Sequence, residues 1–247
     1  MKPKTIEWCG YEWTNAMEGG RLIHPDNPLQ YYDLDNTVTL NKSNVLKLEL
    51  KEIPSQVTYW DGKTYFPSYA APTLRSVKAF TYGKFSVECM IPKGNGIWPA
   101  IWLSGEKKWP PEIDIMEGWP DGGYFRMLSP KFPYVLPNYL VTTNVHYRRL
   151  SDDLKKEIKA KRVYAFEMDD PSEKFVKYSC EWLPDSITIR YDGIIVRKVT
   201  DRKVLDYINQ YPEMYFIMNL WTIRNSPHIR QDGKMELRNF KYKAYEI

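Results

Sequence analysis

Six residues constrain this chain more than any other stretch: Glu112-Ile113-Asp114-Ile115-Met116-Glu117. Acidic and apolar residues alternate with period 2, the pattern of a strand with one buried and one open face. Glu112 and Asp114 share the open face, Ile113 and Ile115 the other. Glu117 is five positions from Glu112, so in a regular strand it would point to the wrong side. One extra residue at Ile115-Met116 corrects this. A β-bulge inserts such a residue, bends the strand and re-aims the side chains beyond it. The sequence therefore predicts a bulged strand with three acids on one face.

Three carboxyls this close cannot all ionise easily, so at least one pKa is expected to be driven up. Two carboxyls in different protonation states are what glycoside hydrolysis uses, one as nucleophile and one as proton donor. A solvated acidic face or a calcium site are the alternatives that the motif leaves open. Trp98, Trp102, Trp109 and Trp119 lie close by, and apolar ring faces beside carboxylates suit sugar recognition. Nine Trp and nineteen Tyr in 247 residues exceed what packing needs and suggest a lined groove.

The formal charge of +4 is mild and forms no single basic run, which argues against nucleic-acid binding. No segment approaches the roughly 18 apolar residues of a membrane span, and no signal peptide is visible. Three cysteines cannot all pair with one another. Cys89 shares a face with Phe85, Val87 and Ile91, and Cys180 with Tyr178 and Trp182, so both read as small buried hydrophobes. Cys9 reads as free. No C-x-x-C spacing points to a metal.

Along the chain, residues 1–30 are turn-rich and carry an N-terminal edge strand. Asn36–Leu40 and Asn44–Leu50 read as strands. Residues 54–73, broken by Pro54, Pro67 and Pro72, read as a loop. Strands come next at 75–79, 82–91, 97–103, 112–117 and 142–147. Residues 118–150 are otherwise irregular, and 152–162 read as a short surface helix or polar insertion. Asp192-Gly193 joins Ser186–Tyr191 to Ile194–Val196 and predicts a tight primed turn. A short helix is expected at 203–208, and closing strands at 214–221 and 234–245. No repeat or linker interrupts 1–247, which reads as one domain of two packed antiparallel sheets.

From Phe80–Phe85, through Pro92-Lys93-Gly94-Asn95-Gly96-Ile97-Trp98-Pro99-Ala100-Ile101-Trp102-Leu103, to Glu112–Glu117, the chain closely resembles glycoside hydrolase family 16. It resembles the branch with the bulged E-x-D-x-x-E motif, which includes laminarinases, agarases, porphyranases and carrageenases. The resemblance implies an all-β, concanavalin-like jelly-roll β-sandwich with a concave substrate cleft. It also implies a retaining endo-glycosidase acting on a polysaccharide. A β-1,3- or mixed β-1,3/1,4-glucan leads as substrate, with an agar-, porphyran- or carrageenan-type galactan behind it. Arg126, Lys131, Arg148, Arg149 and Arg224 are candidates to face a sulfated chain. A non-catalytic carbohydrate-binding jelly roll is the alternative of another class.

By the same resemblance Glu112 matches the nucleophile, Glu117 the general acid/base and Asp114 the aspartate that assists both. Glu117 is then expected to be protonated and Glu112 ionised in the free enzyme. Trp98, Trp102 and Trp119 are expected to bind substrate, as are His146 and the Asn219-Leu220-Trp221 segment through Asn219 and Trp221. Phe175-Val176-Lys177-Tyr178 departs from the family's pattern, with Val where a His is usual. Many members hold a structural calcium near both termini. The usual C-terminal Asp is not recognisable around Leu237–Phe240, so no metal or cofactor is expected. The resemblance further implies a monomer that is secreted, periplasmic or at the cell surface.

Overall fold

Two antiparallel sheets carry the molecule. The computed structural model describes residues 5–15, 27–59, 62–120, 139–147, 164–167, 170–223, 226 and 228–246. One sheet has eight strands, in the spatial order Thr5–Trp8, Tyr11–Asn15, Thr73–Ser76, Met214–Thr222, Ile97–Gly105, Glu112–Trp119, Leu140–His146 and Tyr164–Glu167. The other has seven: Ile194–Val199, Ser186–Tyr191, Val176–Leu183, Gly83–Met90, Met235–Lys243, Leu46–Leu48 and Val38–Leu40. Sequence neighbours are often not sheet neighbours, as a jelly roll requires.

Period-2 alternation drives the packing. Ile101, Leu103, Ile113, Ile115, Val145, Met218 and Leu220 point inward from the eight-stranded sheet. Phe85, Val87, Cys89, Tyr178, Cys180, Trp182, Ile187, Ile189 and Leu237 meet them from the other. This burial supplies most of the fold's stability, at roughly 25 cal/mol per Å² of apolar surface removed from water. Cys89 and Cys180 are fully buried and all three cysteines are free, as their positions in the pattern predict.

The bulge sits where the alternation demands it. Across from Glu112–Trp119, Trp102 pairs with Asp114 and Ile101 with Met116, so Ile115 is the additional residue on that side. On the other side Asn144 pairs with Asp114 and Thr142 with Glu117, leaving Thr143 opposite both Ile115 and Met116. Ile115 and Met116 both go into the core. Two consecutive inward residues return Glu117 to the face of Glu112 and Asp114. Gly118 comes next, because a Cβ there would lie 2.7 Å from the Pro99 ring. The Asp192-Gly193 hairpin forms as expected, both residues having positive φ, which is what a type I′ turn needs.

The loop expected over 54–73 is instead short strands. Tyr69–Ala71 pairs parallel with Gln30–Tyr32 and antiparallel with Lys51–Glu52, and Val57–Thr58 pairs with Thr64–Tyr65. Tyr31, Val57, Tyr59 and Ala70 give this unit its own small core. Prolines confine the strands to two to four residues here, so alternation had too little length to register. The unit buttresses the eight-stranded sheet: Gln30 Oε1 accepts from the Thr222 backbone N–H at 2.6 Å, and Tyr32 packs edge-on to Trp221. The strand expected from Asn36 begins only at Val38, after a helical turn Leu34–Thr37 capped by the Asp33 side chain. The C-terminal helix spans Arg202–Asn209. The helix or insertion expected at 152–162 lies outside the described residues, as do Arg126, Lys131, Arg148, Arg149 and Arg224. Among the described residues no helix is long and apolar enough to cross a membrane.

Candidate active site

The outward face of four adjacent strands gathers the expected residues. Register sets Glu112 opposite His146, Asp114 opposite Asn144 and Glu117 opposite Thr142 on one side. On the other side Ala100 faces Glu117 and Trp102 faces Asp114. The next strand sets Trp221 against Trp98 and Asn219 against Ala100. Ala100, between two tryptophans, sets no more than a methyl group opposite Glu117.

Within the acid cluster His146 Nε2 lies 3.3 Å from Glu112 Oε1 and 3.3 Å from Asp114 Oδ2. Asn144 Nδ2 is 3.0 Å from the same nitrogen. The indole N–H of Trp109 donates to Glu112 Oε2 at 2.8 Å. Thr142 Oγ1 donates to Glu117 Oε2 at 3.4 Å and itself accepts from Trp119 Nε1 at 3.0 Å. Glu112, Asp114 and His146 offer ligand atoms all within 4.8 Å of one another, the group among the described residues that could hold a cation.

Burial pushes all three carboxyls up. Asp114 rises to about 7, against a hydrogen bond with Glu112 and the positive charge of Arg197. Glu117 rises to about 8, with Asp114 adding repulsion. His146, Thr142 and the nearby Trp98 side chain oppose that rise. Glu112 is raised well above its ordinary value by burial and by Asp114, while His146 and the Trp109 hydrogen bond pull the other way. The expected protonated Glu117 agrees with this. For Glu112 burial and Asp114 act upward against His146 and the Trp109 hydrogen bond, so its charge is set jointly with that of Asp114. Their titration belongs to the pair.

The aromatic wall is built in layers. Trp98 stacks on Trp119, ring centroids 5.3 Å apart at 24°. Trp221 meets Trp98 and Trp102 edge-on. Trp98, Trp102 and Trp221 are half-buried and Trp109 is exposed. Two residues expected to touch substrate lie beneath this surface. Trp119 is 5% exposed, its ring covered by Trp98, and Asn219 is 0% exposed. Asn219 Oδ1 accepts from Trp102 Nε1 at 2.7 Å, and its Nδ2 donates to the Trp98 carbonyl at 3.3 Å. Asn219 thus holds the wall in place instead of forming it. Trp221 is fixed by its own hydrogen bond to Thr73 Oγ1, at 2.7 Å.

Sequence reasoning counted Trp109 among the rings near the acids without its hydrogen bond to Glu112, and assigned no site role to Thr142, Asn144, Tyr191 or Arg197. A signal existed for Thr142 and Asn144, since both share the strand face of His146 by alternation. For Arg197 the one hint was alternation with Val199, which is buried on the same face.

A two-sheet sandwich whose outer face joins a carboxyl cluster to an indole wall is the architecture of a carbohydrate-active protein. The chain matches the glycosyl hydrolases family 16 over residues 29–238, and it belongs to that family. It is 32% identical over 115 residues to the endo-1,3-1,4-beta-glycanase EglC of Rhizobium meliloti (strain 1021), covering 43% of this chain and 24% of that one. The chain spans about a quarter of the length of the first curated relatives it matches. In fold it is similar to SCLam, a non-specific endo-β-1,3(4)-glucanase, with TM-score 0.66 at 21% identity over 91% of this chain and 81% of that one. It is also similar, with TM-score 0.68 at 21% identity, to a structure described with endo-acting O-glycanases of the human gut microbiota that initiate mucin breakdown. That likeness covers 98% of this chain and 87% of the other.

Proposed function

We propose that this chain is a retaining endo-glycosidase that hydrolyses internal β-glycosidic bonds of a polysaccharide, a β-1,3- or mixed β-1,3/1,4-glucan first among them. The observation that carries the reading is the bulge, which turns Glu117 onto the face of Glu112 and Asp114 beside the indole wall. Glu117, held protonated at neutral pH, donates to the leaving glycosidic oxygen. Glu112 attacks the anomeric carbon and forms a glycosyl-enzyme. Glu117, now ionised, takes a proton from the incoming water, which releases the sugar with its configuration retained. Asp114 hydrogen-bonds Glu112 and takes up the charge balance as Glu112 ionises. Trp109 and His146 stabilise the ionised Glu112. Exposed edges of Trp98, Trp102 and Trp221 offer apolar surface to the flat faces of β-linked pyranose rings. The mechanism asks for no cofactor.

Relatives named as glycanases and glucanases support the glucan reading. A polymer too large for import is met outside the cytoplasm, which supports a secreted or periplasmic location. Reducing-end release is to be measured on laminarin, lichenan, agarose, porphyran, carrageenan and mucin O-glycans, with Glu112→Ala as control. The anomer formed first is to be read by NMR. Laminarin or lichenan cleaved to oligosaccharides with β-anomers first is the expected result. Release of α-anomers first, or no hydrolysis of any polymer, overturns the reading.

A further inference from the structure

The seven-stranded sheet sends two polar side chains through the core to the back of the acid-bearing strand. Arg197 comes from Ile194–Val199 and Tyr191 from Ser186–Tyr191, and they are only 5% and 4% exposed. A guanidinium among Ile187, Ile189 and Val199 is strongly disfavoured unless its donors are engaged. Arg197 Nε donates to Thr143 Oγ1 at 2.5 Å and Nη2 to the Thr143 carbonyl at 2.7 Å. The Tyr191 hydroxyl donates to the Ile115 carbonyl at 2.9 Å, with the Thr142 carbonyl 3.4 Å away.

These acceptors surround the bulge. Thr143 is the single residue facing the doubled pair Ile115-Met116, and Ile115 is half of that pair. A bulge interrupts the ladder and leaves nearby backbone groups short of strand partners, and such groups need donors when buried. Here the donors come from the opposite sheet and grip both strands of the interruption. Without that grip the bulge could slide by one residue, and a one-residue slip sends Glu117 to the core face.

We propose that Arg197, assisted by Tyr191, is a positioning residue for the acid cluster, gripping the bulge that aims Glu117 and setting a fixed positive charge behind Asp114. This rests on the reading of the cluster as catalytic. Among the described residues, the titratable and charged groups facing Asp114 are Glu112 and Glu117 on its own strand, His146 from the next strand and Arg197 from the opposite sheet. The strand on its other side sets Trp102 opposite Asp114, Ala100 opposite Glu117 and Ser104 opposite Glu112, none of them titratable. Tyr191 faces Glu117 and Asp114 but stays neutral, burial raising its phenol far above the working range. Arg197 stays charged throughout that range. Its guanidinium opposes the burial that raises Asp114.

Three variants separate grip from charge. Arg197→Gln removes the charge, Arg197→Lys keeps it but loses the planar fork, and Tyr191→Phe loses only the hydroxyl. The readouts are kcat and KM against pH on a laminarin oligosaccharide, with near-UV circular dichroism to establish folding. Arg197→Gln is expected to move the acid limb up by about one pH unit and to lower kcat by on the order of tenfold, with KM little changed. Arg197→Lys and Tyr191→Phe are expected to keep the acid limb and lose kcat severalfold. A folded Arg197→Gln with the wild-type limb overturns the charge effect. Wild-type kcat in all folded variants overturns the grip. Should Arg197→Gln fail to fold, Arg197→Met takes its place for the charge, while Arg197→Lys and Tyr191→Phe decide the grip as before. Wild-type protein inert on every glycan refutes the proposed function instead. In that case an NMR titration of the Asp114 carboxyl in wild type and Arg197→Gln still tests the charge, an unchanged midpoint overturning it.

Discussion

Replacing Glu117 by Gln should make the protein more stable in alkali while disabling it. Burial and Asp114 raise the Glu117 carboxyl from its ordinary 4.5 to about 8. The folded state therefore holds this proton more tightly than the unfolded chain does. For a raised pKa the stabilising contribution is full below pH 4.5 and is lost as pH climbs to about 8. The gap of about 3.5 units, at about 1.36 kcal/mol each, amounts to about 4.8 kcal/mol in full, of which about 4.4 kcal/mol is lost by pH 8. Glu117 keeps some contact with solvent and shares its titration with Asp114 and Glu112, so about 2–4 kcal/mol is the working figure. A glutamine of the same shape has nothing to ionise. Its neutrality also relieves Asp114 and Glu112, which acts in the same direction. For a chain of this size the gain corresponds to a Tm about 5–10 °C above wild type at pH 8, against less than about 1 kcal/mol at pH 5. Thermal unfolding by circular dichroism at the two pH values reads this directly. In parallel, the alkaline limb of kcat/KM should disappear on a laminarin oligosaccharide, while glycosylation by an aryl glycoside with a good leaving group is spared. Equal Tm gains at pH 5 and pH 8 would refute the electrostatic reasoning. An alkaline limb unchanged in the variant would refute Glu117 as the acid.

The same geometry sets three other outcomes. Glu112→Ala should lower hydrolysis by about 10⁴-fold or more while near-UV circular dichroism stays native, since the side chain lies on the open face; turnover within tenfold of wild type removes it as nucleophile. Trp221→Ala should raise KM by about tenfold and cost about 1–3 kcal/mol of stability, because the ring is half-buried between Trp98, Trp102 and Tyr32; a large loss of Tm with activity per folded molecule intact makes it purely core. In the native protein a bulky thiol reagent should titrate Cys9 alone, and after denaturation all three cysteines. Burial pushes the Cys180 thiol up to about 12 and the Cys89 thiol higher still; rapid native labelling of either would contradict their packing in the core.

Much of the site was legible because it lies on strands. The alternation of Glu112–Glu117 contained the bulge, since only an extra residue reconciles three acids with two inward isoleucines. Trp98, Ala100 and Trp102 shared a face by the same rule, as did the buried Cys89 and Cys180. The Asp192-Gly193 turn was readable because positive φ at both positions favours that pair. The strands of 51–71 were not readable, and the one expected at 75–79 runs instead over Thr73–Ser76. Each is two to four residues long, and their partners, such as Gln30–Tyr32 for Tyr69–Ala71, are distant in sequence.

What the sequence determined by itself is local periodicity: which residues share a strand face, where an inserted residue is needed, and which side chains carry the chemistry. Tertiary structure decided what depends on depth and on the second sheet. Asn219 and Trp119 share the outer face by periodicity, yet Trp98 and Trp102 cover them. Glu112 is raised along with Glu117, because burial and Asp114 act on both. Arg197, assigned no role from the sequence, lies inside the sandwich against Thr143, 54 residues away in the chain. Periodicity fixes the direction of a side chain, but desolvation and partner charge depend on what packs above it, and only the folded chain sets that.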